Sequence, residues 1–240
     1  MDTTPRAAAK DGAKPEEKRS LSHRIAHFLG KSRKLLLAIA IVVLAAILVL
    51  SVITVIRSSA DKASAMKVEE LSNDANAWSA ETDATKKADL EKKLNVGVAE
   101  VLAKYPGIVA AQQALAIKAT IAESKKDWAE AEKDWIDAAN RLPTSFLAPV
   151  SLRNAAVAAE EQGADDRAKA HYKALIDKYS GSAAGIAHAW FALGRIAEES
   201  KDYSAAVANY EKVVATWPSS DWTKLSKDRI ISIKSRGLVK

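Results

Sequence analysis

The chain repeats a short pattern three times, an alanine followed four residues later by an aromatic residue. The copies are Ala131/Trp135, Ala168/Tyr172 and Ala206/Tyr210, and they recur at a nearly constant interval. Self-similarity at this period is typical of arrays in which pairs of helices stack side by side. The spacing therefore predicts an all-α structure whose main use is to provide surfaces that hold other proteins.

The last copy contains the small, aromatic and helix-ending residues of a two-helix unit. They are Trp190, Leu193, Gly194, Tyr203, Ala206, Tyr210 and Pro218. Gly194 and Ala206 let neighbouring helices approach closely, and Tyr210 fills the space between them. Pro218 ends the unit because it cannot continue a helix. The pattern resembles the tetratricopeptide repeat, whose unit is about 34 residues long.

The other copies keep the register with departures. The predicted repeats span residues 107–144, 145–181 and 182–219, and an eroded helix pair over 68–106 precedes them, with Leu94 at the alanine position. Lys118 stands where an apolar residue is expected, and Ser180 replaces the proline. Residues 220–240 place apolar side chains at helical spacing, at Trp222, Leu225, Ile230 and Ile233. We expect an α-solenoid of three to four pairs with a C-terminal capping helix and tail.

An apolar segment lies ahead of the repeats. The stretch from Leu35 to Ile56 contains no charge, and only Ser51 and Thr54 are polar. A helix of this length extends for about 33 Å, enough to cross a bilayer. We predict a transmembrane helix over 35–56 and a linker over 57–67. A cleaved secretory signal is the alternative, with small residues at Ala63-Ser64-Ala65, although its apolar core is usually shorter.

Charge predicts the orientation. Residues 1–34 carry nine Lys or Arg against four Asp or Glu, which is nearly all of the net charge of +6. The positive-inside rule then places the N-terminus in the cytoplasm and the repeats outside. The rest of the chain is close to neutral, so nothing there favours binding of nucleic acid.

The N-terminal segment divides in two. Residues 1–20 have the composition of a disordered tail. Residues 21–34 form a basic juxtamembrane segment with an amphipathic pattern, in which Leu21, Ile25 and Phe28 share one helical face. His23 and His27 have a spacing compatible with a metal, but no carboxylate or thiol lies nearby to complete a site. We predict no metal and no cofactor.

The sequence lacks the residues that several classes of chemistry require. The chain contains no cysteine, which excludes disulfides and a cysteine nucleophile. No catalytic constellation or glycine-rich phosphate loop occurs, so we expect that the protein is not an enzyme. The acidic pairs Glu160/Glu161 and Glu198/Glu199 recur at matching repeat positions and are interpreted as a solvated rim.

The resemblance to tetratricopeptide repeats implies a partner-binding groove lined by the first helix of each pair. Transferred to this sequence, the groove positions are Gln113, Thr120, Arg153, Asn154, His188, Phe191 and Arg195. Arg153 and Arg195 suit acidic groups or a terminal carboxylate, and Phe191 offers an apolar contact. The alternatives are a groove that holds only water, or one filled by the chain's own terminal helix.

The order of segments resembles that of bacterial single-pass inner-membrane proteins with a periplasmic tetratricopeptide domain, such as the ancillary subunit of the Sec translocon, whose repeats are shared with the cell-division coordinator family. The resemblance implies an inner-membrane adaptor that receives polypeptides or chaperones. One alternative is a structural scaffold in a division, outer-membrane-biogenesis or periplasmic flagellar assembly. Another is that the basic tail is the active part and binds anionic lipid or a cytosolic protein.

Overall fold

A computed structural model describes residues 33–180 and 185–239. These residues form helices and no strand, so the all-α prediction is confirmed. The helices are α1 (Arg33–Ala80), α2 (Ala84–Lys104), α3 (Val109–Ser124), α4 (Trp128–Arg141), α5 (Leu147–Glu161), α6 (Asp165–Tyr179), α7 (Ile186–Glu199), α8 (Tyr203–Thr216) and α9 (Asp221–Ser235). The predicted tail over 1–20 and most of the juxtamembrane segment lie outside the described residues.

The chain divides into two units, one ending at Arg57 and one spanning Ser58–Lys240. The described part of the first unit is the apolar start of α1, whose side chains are exposed from Ile41 to Ile56. Ser51 and Thr54 donate their hydroxyl hydrogens to the carbonyls of Ile47 and Leu50, one turn back. Within the described residues, α1 is the one helix long and apolar enough to span a membrane.

Residues 57–67, predicted as a linker, are helical and belong to α1. The stretch contains no glycine or proline and three alanines, so nothing in it breaks a helix. In the second unit the end of α1 packs as the first helix of a pair. Val68, Leu71 and Trp78 are buried against Leu94 and Val98 of α2.

The pairs of the second unit share one construction. In α4, α6 and α8 the repeated alanines Ala131, Ala168 and Ala206 are fully buried, and so are the tyrosines Tyr172 and Tyr210. A Cβ atom placed on Gly194 would lie 2.5 Å from Cε1 of Tyr210, which explains the glycine. The aromatic residues at the repeated position therefore form the core of the array, as the pattern predicts.

The turn inside each of these pairs has one residue in the left-handed region. It is Lys126 before α4, Gly163 before α6 and Lys201 before α8, with φ of 61°, 67° and 64°. These positions recur at the same intervals as the repeated alanines. The turn geometry is thus repeated even where the residue is not glycine, at a cost in backbone strain at the two lysines.

Helix α9 covers the end of the array and packs on α7 and α8. Thr223, Ser226 and Ile233 are its buried residues. Leu225, predicted to help cover the open end, is 44% exposed instead. The buried face of α9 is more polar than predicted, because residues 223, 226, 230 and 233 share one face of the helix and Leu225 lies off it.

Candidate partner-binding surface

The seven predicted groove residues lie on three first helices. Gln113 and Thr120 are on α3, Arg153 and Asn154 on α5, and His188, Phe191 and Arg195 on α7. We refer to this set as the first-helix surface. Its three parts differ in how far their side chains are already occupied by contacts within the protein.

The α3 part borders an open cleft. Thr120 and neighbouring residues of α1 and α3 enclose about 360 Å³. The lining is uncharged and consists of Ser72, Ala75, Asn76, Trp78, Ser79, Ala116, Ile117, Thr120, Ile121 and Ser124. Thr120 donates its hydroxyl hydrogen to the Ala116 carbonyl of its own helix, 2.9 Å away. This end of the surface is apolar, with small hydroxyl groups along it.

Next to the predicted groove residue Gln113, Gln112 has a structural role on α3. Gln112 is fully buried and donates from Nε2 to the carbonyls of Ala138 and Leu142, at 2.8 and 3.1 Å. Its Oε1 accepts a hydrogen bond from Ser145. The amide therefore ties α3 to the end of α4, while Gln113 is only half-buried. The sequence analysis did not predict this role of Gln112, because its acceptors at Ala138 and Leu142 lie outside its own helix.

The α5 part carries an arginine that has no anionic partner in the described part of the chain. Arg153 is half-buried, and among the described residues no carboxylate lies within ion-pair distance of its guanidinium. Its hydrogen bonds go to Oδ1 of the adjacent Asn154, at 3.2 Å from Nη2 and 3.4 Å from Nε. Both residues therefore keep donors for an external acceptor.

Arg195, in contrast, is neutralised inside the protein. Its Nη2 forms an ion pair with Glu160 of α5, and its Nη1 donates to Glu199 of its own helix at 2.8 Å. Burial raises the pKa of the Glu160 carboxyl, and the Arg195 charge opposes that shift. The arginine thus joins two neighbouring pairs and has little charge left for a ligand.

His188 and Phe191 lie beneath the capping helix. The indole of Trp222 in α9 is 4.5 Å from the His188 ring and 5.1 Å from the Phe191 ring, between centroids. Burial, followed by the charges of Arg153 and Arg195, lowers the pKa of His188 to about 4. The imidazole is therefore neutral at physiological pH, and its Nδ1 is buried with no hydrogen-bond partner among residues 33–180 and 185–239. Here the chain's own terminal helix fills the surface.

The interpretation of Glu160 and Glu198 as a solvated rim is wrong. The side chains of Glu160 and Glu198 are only 19% and 9% exposed, because each faces the buried tyrosine of its own pair. The Tyr210 hydroxyl donates to Glu198 at 3.1 Å, and Arg229 of α9 donates to both of its carboxylate oxygens. Arg229 thus neutralises Glu198 at the end of the array, as Arg195 neutralises Glu160 between two pairs.

The same contact occurs one pair earlier, where Trp135 Nε1 donates to Glu123 at 2.7 Å. Glu123, Glu160 and Glu198 recur at the same intervals as the aromatics that they face. The sequence therefore contained a signal for these buried glutamates. Each copy has a glutamate at the same place, one helix before the aromatic residue.

The last two helix pairs are recognisable by comparison with known families. Residues 151–182 and 188–220 match the tetratricopeptide repeat family. The two matches cover α6, α8 and most of α5 and α7, about a quarter of the chain. No curated protein matches the chain. Tetratricopeptide repeats support a role as an adaptor in protein–protein interaction, which agrees with the predicted class of function.

Proposed function

We propose that the protein is a membrane-anchored adaptor whose first-helix surface receives an acidic group of a partner protein at Arg153. The observation that supports this is the contrast between two arginines: Arg195 has two carboxylate partners, and Arg153 has none among the described residues. Arginine presents paired donors that match a carboxylate, and a half-buried one binds it more strongly than an exposed one. The adjacent amide of Asn154 can add a hydrogen bond to the partner's backbone.

The proposal includes a single membrane helix over residues 35–56, with the N-terminus in the cytoplasm and the repeats in the periplasm. Its supports are the exposure of the apolar stretch of α1, the hydroxyls of Ser51 and Thr54 bonded within the helix, and the basic residues ahead of it. In the finer form of the proposal, the adaptor works beside the Sec translocon or with periplasmic chaperones. Anchoring raises the effective concentration of the surface near a membrane machine.

Photocrosslinking tests the surface. A photoreactive residue replaces Val157, one helical turn from Arg153, so that the arginine itself is kept, and a second variant carries it at the exposed Lys133 of α4 as the control. We expect protein adducts from position 157, with translocon subunits, chaperones or nascent chains among them, and fewer from position 133. Equal yields at both positions, or adducts with lipid alone, contradict the proposal.

The orientation is tested separately. Because the chain has no cysteine, single cysteines introduced at Ser20 and Lys133 have no background. A membrane-impermeant maleimide added to intact spheroplasts is expected to label position 133 and not position 20. Labelling of position 20 alone reverses the proposed topology, whichever partner is found.

A structural scaffold is the second candidate, and the position of Trp222 favours it. Since α9 already covers His188 and Phe191, part of the surface is closed to a ligand. A scaffold in a cell-envelope assembly would use other faces and would keep a fixed stoichiometry with its neighbours. Replacing Arg153 and Arg195 together by alanine then leaves partner recovery unchanged, whereas the adaptor loses it.

A further inference from the structure

The second helices of neighbouring pairs follow one another across three junctions, and polar contacts bridge the first two. At the first, between α2 and α4, Lys125 at the end of α3 forms an ion pair with Glu91 of α2 at 2.6 Å. At the second, between α4 and α6, Glu132 of α4 accepts hydrogen bonds from three residues. They are Gln162 at 2.8 Å, Arg167 at 3.2 Å and His171 at 2.8 Å.

The third junction, between α6 and α8, has none of these groups. Aligning the copies on their repeated alanines places Lys169 where Glu132 stands, and Ser200, Ala205 and Asn209 where its three donors stand. Among the described residues, no hydrogen bond or ion pair joins α6 to α8. All four substitutes line a cleft of about 420 Å³. The cleft therefore lies at the third junction in the place where the second junction has its polar bridge.

The cleft has an apolar floor and a basic wall. The floor consists of Ile176, Trp190, Leu193, Ala197 and Ala205. Lys169 and Lys173 form the α6 wall, one helical turn apart, and Asp177 follows them. Lys173 has no carboxylate within ion-pair distance in the described chain, and Lys169 reaches only the fully exposed Asp166, at 3.4 Å. On the opposite wall, the Asp202 carboxylate accepts the Ala205 amide hydrogen and caps α8.

We propose that this cleft is a second docking site, separate from the first-helix surface, and that it takes an amphipathic helix of a partner protein with an acidic edge. The apolar side of such a helix covers Trp190 and Leu193, as helices lie in apolar grooves generally. Its glutamates or aspartates lie beside Lys173, which has no ion-pair partner among the described residues, and beside Lys169, whose ion pair with the fully exposed Asp166 is weak. The charge of the α6 wall selects the partner, and the apolar floor supplies most of the affinity.

The test uses two synthetic fluorescent peptides and the full chain in phosphatidylcholine nanodiscs. Both peptides are amphipathic helices with leucine and phenylalanine on one side; one carries glutamates along one edge and the other lysines. Fluorescence anisotropy measures the dissociation constants. We expect the glutamate peptide to bind about tenfold more tightly than the lysine peptide.

The closing variant copies the second junction into the third, by Lys169→Glu, Ala205→Arg and Asn209→His. It is expected to weaken binding of the glutamate peptide by about tenfold, because the bridge occupies the cleft. Lys173→Glu changes one exposed residue and is expected to do the same through charge alone. Lys133→Glu, an exposed change on α4 that does not line the cleft, is the matched control and leaves binding unchanged.

Circular dichroism checks that the closing variant folds, and if it does not, Lys173→Glu decides. The proposal is overturned if the glutamate peptide shows no saturable binding, if both peptides bind equally, or if neither variant weakens binding. It is also overturned if sedimentation shows that wild type self-associates and the closing variant does not, because the occupant is then a second copy of the chain. None of these outcomes depends on Arg153, so the adaptor proposal is tested independently.

Discussion

The second junction, between α4 and α6, and the third, between α6 and α8, are built from corresponding helices of successive copies, but they differ at all four positions of the polar bridge. At the second junction, burial alone would raise the pKa of Glu132, and the hydrogen bonds from His171, Gln162 and Arg167 outweigh it and hold that pKa below its usual value. At the third, apolar side chains and two lysines border an open cleft. The comparison teaches that the alanine and aromatic positions determine the fold, while the junction residues determine which surfaces stay available.

The largest expected effect concerns the packing inside a pair. A Cβ atom on Gly194 would lie 2.5 and 2.7 Å from Cε1 and Cδ1 of Tyr210, too close for any contact. Because Tyr210 is fully buried and cannot move aside, we expect Gly194→Ala to destabilise the protein by about 2–4 kcal/mol. Urea denaturation followed by tryptophan fluorescence measures the change.

Gly107 provides the control for that substitution. A Cβ atom placed there has no neighbour within 4 Å, and its φ is not positive. Gly107→Ala is therefore expected to be neutral or slightly stabilising. Similar losses for the two variants would mean that the close approach to Tyr210 is not what makes Gly194 necessary.

The second prediction removes the bridge at the second junction. Glu132→Ala leaves Gln162, Arg167 and His171 without their shared acceptor, and the glutamate side chain is only 12% exposed. We expect a loss of about 1–3 kcal/mol, with faster hydrogen exchange along α6. The measurements are urea denaturation and exchange mass spectrometry.

Lys169→Ala is the matched change at the third junction, since Lys169 occupies the position of Glu132. It removes only a long ion pair with an exposed aspartate, so the expected cost is below about 0.5 kcal/mol. If the two alanine variants lose equal stability, the distinction between a bridged and an open junction fails.

The sequence predicted the parts of the fold that follow from periodicity. The alanine and aromatic spacing indicated the helix pairs, and the uncharged stretch from Leu35 to Ile56 indicated a helix long enough for a membrane. Periodicity could not predict the hydrogen bonds and ion pairs between polar side chains, because these join residues on different helices. The sequence identified Lys118 as a departure from an apolar position, but not its ion pairs with Glu130 and the buried Asp134, at 2.8 and 2.9 Å.

The sequence predicted which helices carry the candidate surface, but not which of its side chains are already paired or covered within the protein. The resemblance placed seven side chains on the first helices, where the structure has them. Which of them are already occupied depends on Trp222 of α9 and on Glu160 of α5, and both lie on other helices than the groove residues that they contact. The charge of Arg153 and that of Arg195 therefore looked equivalent in the sequence and differ in the structure.

The third prediction concerns pH and the last helix pair. His188 has a pKa of about 4 when folded and an ordinary value of 6.5 when unfolded, so protonation favours the unfolded chain. The stability that the neutral imidazole contributes is present above pH 6.5 and is lost as the pH falls toward 4. Because His188 is partly exposed, we expect this loss to be about 1–2 kcal/mol.

His188→Gln removes the titrating group and keeps a polar side chain beside Trp222. We expect the stability difference between wild type and variant to change between pH 7 and pH 4, in the direction that favours the variant at low pH. His171, which contacts Glu132 at the bridged junction, provides the comparison through His171→Gln. A constant difference for His188→Gln across that range contradicts the assigned burial.

The smallest expected effect lies in the turns that lead into the two junctions. Gly163 before α6 and Lys201 before α8 have nearly the same left-handed φ, 67° and 64°, and both are exposed. A lysine in this conformation is strained by about 1 kcal/mol, whereas glycine is not, although glycine loses more entropy on folding. We therefore expect Lys201→Gly to stabilise the protein by about 0.5 kcal/mol and Gly163→Lys to destabilise it by a similar amount. Thermal unfolding of both variants and of the double exchange measures this. If the exchange restores wild-type stability, the two turns are interchangeable and the difference between the junctions resides in the helix side chains alone.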